Sequence, residues 1–211
     1  MRSLLCGLIM LLPLATSVPG AAAEHTVVLG SWRVVRSVAD SGETHDLKVR
    51  RLLVDGKVRE YTVGPAHDVT DRIFVVQRVY RVNDALPNDP HGPQWIWRLD
   101  GWISVDRTTG RISQLSLPAF DPDVSQASWY RDYAAYCGVS EENQGLLVVS
   151  QIGKRKPILR KEFASPGCAL PKWDRGPMRV TFTVAGEKTV VTVRPHGADL
   201  QSESSDEEGP K

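Results

Sequence analysis

From Thr26 to Arg194 apolar and polar residues alternate in short runs, turn residues interrupt them at roughly eight to twelve positions, and almost nothing recurs at helical spacing. A period of two sends successive side chains to opposite faces of a strand, so each such run forms a strand with one buried face. Val180, Phe182 and Val184 alternate in this way with Arg179, Thr181 and Thr183. The return run Lys188 to Arg194 makes a hairpin around Ala185-Gly186-Glu187. Further strands are expected over Thr26 to Val38, Arg72 to Val82, Arg111 to Leu117, Leu146 to Ile152 and Pro157 to Phe163. Ser128 to Cys137 suits a strand or one short helical turn, and Asn83 to Pro93, with Pro87, Pro90 and Pro93, suits a loop. The pattern predicts an all-β fold of antiparallel hairpins forming an irregular sandwich or a partly closed barrel.

Two Asp-Gly pairs fall where a two-residue hairpin turn needs residues tolerant of positive φ. In Arg50 to Tyr61 the turn Asp55-Gly56 pairs Val54 with Lys57 and sets Arg51 opposite Glu60. In Trp95 to Asp106 the turn Asp100-Gly101 pairs Leu99 with Trp102, and Trp95, Trp97, Leu99 and Trp102 then project from one face, with Ile96, Arg98, Ile103 and Val105 on the other. Three tryptophans side by side form either a core cluster or a stacking platform for a sugar, peptide or aromatic ligand.

The two ends of the chain break the pattern. Arg2, the apolar run Leu4 to Leu14 and the small residues Ala21-Ala22-Ala23 have the order of an export signal, which makes 1–23 a cleaved leader and Glu24 the first mature residue. The apolar run is about half the roughly 20 residues needed to span a bilayer, and no later run approaches that length, so no transmembrane segment is expected. The expected location is periplasmic or secreted. A short leader without any Asn-x-Ser/Thr triplet points to a bacterial source. At the other end, 196–211 has one large apolar residue, Leu200, among many acids, and is expected to be a disordered acidic tail. A single β-rich domain, 24–195, remains.

Composition sharpens this picture. The chain has 211 residues, 26 Lys+Arg, 25 Asp+Glu and 41% hydrophobic residues, which excludes a wholly disordered chain, a collagen-like repeat and a strongly basic nucleic-acid binder. Without leader and tail the domain keeps 24 basic and 20 acidic residues, a mild positive surplus. Of the three cysteines Cys6 leaves with the leader. In an oxidising compartment Cys137 and Cys168 are expected to form a disulfide.

Catalytic signals are sparse. No Gly-x-Ser-x-Gly, Ser-x-x-Lys, His-Glu-x-x-His or Gly-rich phosphate loop occurs. Ser165-Pro-Gly-Cys168 is similar to the Ser-His-Gly-Cys of bacterial L,D-transpeptidases, with Pro166 in place of the histidine that would generate a thiolate. His67, Asp68, His91, Asp121 and Asp123 are the remaining acid and base candidates, and no two histidines lie at metal-ligand spacing, so neither metal nor cofactor is expected. Lys154, Arg155 and Lys156 sit at the tip of a predicted hairpin, either guarding a sheet edge or meeting an anionic surface.

Gly101-Trp-Ile-Ser-Val-Asp-Arg-Thr-Thr-Gly110-Arg-Ile112 is similar to the strand-turn-strand unit of bacterial exported β-propellers, and Ser128 to Tyr136 with the strands after it resembles a WD-repeat, TolB-like blade. That resemblance implies a small four-bladed β-propeller-like arrangement as the alternative fold. The whole chain resembles uncharacterised exported β-rich proteins of bacteria, which implies location and fold class. Two functions compete. One is a non-catalytic binding or interaction module of the envelope, using Trp95, Trp97, Trp102 or Lys154 to Lys156 on an envelope protein, glycan or anionic surface. The other is an extracytoplasmic hydrolase or transferase with a dispersed His/Asp site.

Overall fold

A computed structural model describes residues 25–38, 42–86, 90, 92, 94–164, 168–176, 178–195 and 197–202, the side chains of 201 and 202 excepted. The expected leader, His91 and 203–211 lie outside the described residues. Strands and their connections make up the described chain, in three sheets. The arrangement is an irregular β-sandwich rather than four similar blades.

The first sheet contains β1 (Val27–Leu29), β2 (Arg33–Val38), β3 (Thr44–Val54), β4 (Lys57–Asp68), β5 (Ile73–Asn83), β6 (Trp95–Asp106) and β7 (Ile112–Gln114). Its order is β1-β3-β2-β6-β5-β4, with β7 on β6, and β4 also pairs with β3, so the pairing runs in a ring through β3, β2, β6, β5 and β4. The ring closes at one parallel bridge, Ser37↔Trp97, where the buried Ser37 hydroxyl donates to the Trp97 carbonyl at 2.8 Å. Alternation fills the two faces differently. Val49, Val79 and Trp97 form one cluster, while Leu52, Phe74, Val76, Ile103 and Val105 form another.

The Asp55-Gly56 turn pairs Val54 with Lys57 as expected, with φ of 53° and 72°. A bulge at Arg59 then shifts the register: Arg51 faces Tyr61 instead of Glu60, and Glu60 approaches Arg78 at 3.7 Å. The expected Asp100-Gly101 hairpin does not form. β6 runs unbroken, because the long β5 offers it a partner along its whole length. Val79↔Leu99 and Gln77↔Trp102 leave Asp100 and Gly101 together opposite Arg78, a β-bulge. The extra residue restores the parity that a turn would have given, so Trp97, Leu99 and Trp102 still share a face.

The other two sheets pack on each other. One has the order β11-β10-β9-β8, from β8 (Ser128–Tyr130), β9 (Tyr133–Val139), β10 (Gly145–Gln151) and β11 (Leu159–Phe163). The other runs in chain order through β12 (Ala169–Arg175), β13 (Met178–Val184), β14 (Glu187–Arg194) and β15 (Gly197–Ser202). Ala135, Cys137, Leu147 and Val149 meet Val180, Phe182, Val191 and Val193 between them. The Cys137–Cys168 disulfide, Cα to Cα 5.9 Å, ties β9 to the start of β12. β9 and β10 are also buried on their other face, where Leu117, Phe120, Ala127 and Trp129 cover Ala134, Tyr136, Leu146 and Val148.

Two elements depart from the alternation. β12 contains Pro171, which is tolerated because β12 is an edge strand whose pairing slips between Ala169 and Lys172. Gly197–Ser202, expected to be disordered, forms edge strand β15 on β14. Sheet pairing uses backbone groups, so polar residues can still gain a ladder. Ala198 packs on the sandwich core and Arg194 pairs with Asp199 at 3.0 Å.

Candidate functional site

β2 and β3 pair so that Val34 faces Lys48, with Trp32 and Arg50 beside them. Their neighbours Val35, Leu47 and Val49 turn to the ring's cluster, which leaves this second set on the outward face. The third wall comes from an irregularity in β4. Between Val63↔Gln77 and His67↔Val75, three residues, Gly64, Pro65 and Ala66, stand opposite one. Gly64 has φ 68° and Pro65 donates no ladder hydrogen bond, so the chain lifts off the sheet here. The result is an open groove of about 660 Å³ lined by Trp32, Val34 and Val63 to Pro65, with Arg33 and Lys48.

The groove is cationic without being neutralised. The Arg50 guanidinium lies 4.2 Å from the Trp32 ring centre, within cation–π range, and Nη2 donates to the Gly64 carbonyl at 3.5 Å. Its Nε is buried without an acceptor among the described residues, and burial lowers its pKa from the usual arginine value; a guanidinium stays charged even so. Arg33 sits over both Tyr61 and Trp97, at 5.1 and 5.3 Å, and Arg81 over Trp95 and Trp97, at 5.2 and 5.5 Å. Among the described residues no carboxylate lies within ion-pair distance of Arg33, Lys48 or Arg50. The arrangement can take an anionic group at the guanidinium edge and apolar surface against Trp32 and Val34.

The tryptophan trio is split. Trp97 and Trp102 are 8% and 7% exposed, the first in the ring cluster and the second against Trp129, so the three do not make an exposed platform; Trp95 alone is open, at 56%. Lys154, Arg155 and Lys156 are exposed in the connection between β10 and β11, on the second sheet, whereas the groove lies on the first. His67, Asp68 and Asp121 have three separate partners. His67 Nε2 donates to the Arg131 carbonyl at 2.8 Å, Asp68 pairs with Arg107, and Asp121 accepts from the Asp123 amide at 2.9 Å in a turn. Among the described residues no group of three His, Cys, Asp or Glu side chains is placed to hold a metal ion. Cys168 is bonded to Cys137 and offers no thiolate. Sequence reasoning missed Trp32 and Arg50. The two residues lie far apart in the chain, and only the β2–β3 register sets them side by side.

Comparison with family models, with curated proteins and with solved structures finds no match to this chain.

Proposed function

We propose that this protein is an exported, non-catalytic binding module of the bacterial envelope whose cationic groove rests on an anionic lipid surface. The observation that carries this reading is the Arg50–Trp32 stack beside Lys48, two cations on the outward face without a carboxylate partner among the described residues. Trp32 and Val34, 47% and 61% exposed, supply an amphipathic ring and an apolar side chain at the depth of lipid headgroups. Each Lys or Arg near an anionic leaflet contributes about 1 kcal/mol, so two amount to a selectivity of roughly thirtyfold over a neutral one. The leader expected at 1–23 and the Cys137–Cys168 disulfide fit an oxidising compartment, and no helix among the described residues is long and apolar enough to cross a membrane.

Sedimentation of the mature chain with phosphatidylcholine vesicles, with and without phosphatidylglycerol, tests this. Binding is expected only with the anionic lipid, weakening as salt rises, and about tenfold or more weaker in the Lys48→Ala/Arg50→Ala variant. Equal retention on neutral vesicles would sink the proposal. A loss that instead follows Lys154→Ala/Arg155→Ala/Lys156→Ala would move the contact to the hairpin tip.

A further inference from the structure

A second cavity lies on the other side of the Gly64–Ala66 wall, where the first sheet meets the segment leading into β8. It holds about 400 Å³, and its chemistry is unlike the groove's: no Asp, Glu, Lys or Arg lines it. Two indoles touch there. Trp102 and Trp129 have ring centres 5.1 Å apart, and His67 stacks on the far ring at 6.1 Å with 22° between planes. Trp102 is 7% exposed, and the N–H groups of Trp102 and Trp129 are both buried with no acceptor among the described residues. Buried donors are almost always paired, so two orphans on touching rings in one cleft require an explanation.

The other polar groups complement these donors. Gln77 donates from Nε2 to the Asp100 carbonyl at 3.1 Å, which fixes its amide and leaves Oε1 as an acceptor. His67 faces a carbonyl with Nε2, so a proton sits on that nitrogen, and Nδ1 is the ring's remaining polar atom. Gln126, exposed at the rim, can donate and accept. Aromatic faces with interleaved donors and acceptors, and no charge, match a ligand whose hydroxyls both donate and accept around an apolar ring face. A carboxylate or phosphate ligand would find no fixed cation, and a purely apolar one would leave both indole N–H groups unpaired.

We infer that the Trp102–Trp129 cleft is a binding site for an uncharged sugar ring, distinct from the cationic groove. A titration of the full mature chain with tetra-N-acetylglucosamine and, separately, maltotetraose, followed by the indole N–H signals in ¹H–¹⁵N NMR, tests this. At least one sugar is expected to bind saturably, with the Trp102 and Trp129 signals moving downfield as each gains an acceptor. Trp129→Ala is expected to weaken binding at least tenfold. Gln126→Ala, at an exposed position, keeps the fold intact and is expected to weaken binding about threefold. Trp32→Ala, in the groove, is expected to leave sugar affinity unchanged. The inference is overturned if neither sugar binds, if the shifts fall on Trp32 or Trp95 instead, or if Gln126→Ala and Trp129→Ala both bind like the parent chain.

Discussion

Arg78 Nε donates to the Asp100 carboxylate at 2.6 Å across the bulge in β6, and a second guanidinium nitrogen reaches the same oxygen. The pair is under one-third exposed on both sides, and Asp100 also accepts from the Gly101 amide at 2.7 Å. An Asp-Gly pair that favours a turn is thereby held as an extended bulge. Asp100→Ala and Arg78→Ala are each expected to cost about 1 to 2 kcal/mol, with a coupling of about 1 kcal/mol in a double-mutant cycle by guanidinium chloride unfolding. Additive losses would show that the pair does not hold the bulge.

Asp106 carries the same logic into the turn between β6 and β7. Arg72 Nε donates to both carboxylate oxygens at 2.9 Å, and the Thr108 and Thr109 amides donate to Oδ1. The arginine contact, more than the turn amides, holds the Asp106 carboxyl well below the usual carboxylate range. Its folded value is depressed, so its stabilisation is complete above the unfolded value of about 3.9 and is lost as pH falls toward the folded one. In a carboxyl ¹³C titration Arg72→Ala is expected to bring the Asp106 midpoint up toward ordinary aspartate. An unmoved midpoint would assign the depression to the turn amides.

Backbone proximity makes Gly138 a demanding position in the second sheet. A Cβ there would stand 2.5 Å from the Ala119 carbonyl oxygen, which accepts from the Val139 amide at 2.9 Å. Gly138→Ala must push the 117–120 segment off the β9–β10 face, at an expected cost of about 2 to 4 kcal/mol. Thermal unfolding measures it, and a change under about 0.5 kcal/mol would show that the segment yields freely.

The disulfide closes a separation of 31 residues. On the chain-entropy model that is worth about 3 to 4 kcal/mol, so Cys137→Ala/Cys168→Ala is expected to lose that much stability, with a larger m-value because the denatured chain without its cross-link is more expanded. The unfolded, unreduced parent chain should show no free thiol in its mature form, and two free thiols there would contradict the bridge.

Alternation in Arg179 to Val184, the Asp55-Gly56 turn and the apolar run Leu146 to Ile152 are properties of a few adjacent residues, and each became the element expected, while Ser128 to Cys137, open between a strand and a helical turn, became β8 and β9. The pairing of Cys137 with Cys168 was expected because Cys6 falls in the expected leader. Asp100-Gly101 was misread because the same dipeptide serves a turn or a bulge. The presence of β5 as a continuous partner decides between them. β15 was missed because an edge strand needs a backbone partner more than apolar side chains.

The sequence by itself determined an all-β chain, its main strands and its disulfide, because hydrophobic periodicity and turn chemistry act over neighbouring residues. Tertiary structure alone decided that Trp97 and Trp102 are buried while Trp95 is open, that Arg50 stacks on Trp32, and that Trp102 meets Trp129 with both indole N–H groups unpaired among the described residues. Those are facts of register and sheet closure, set by contacts between residues tens of positions apart, and no local pattern encodes them.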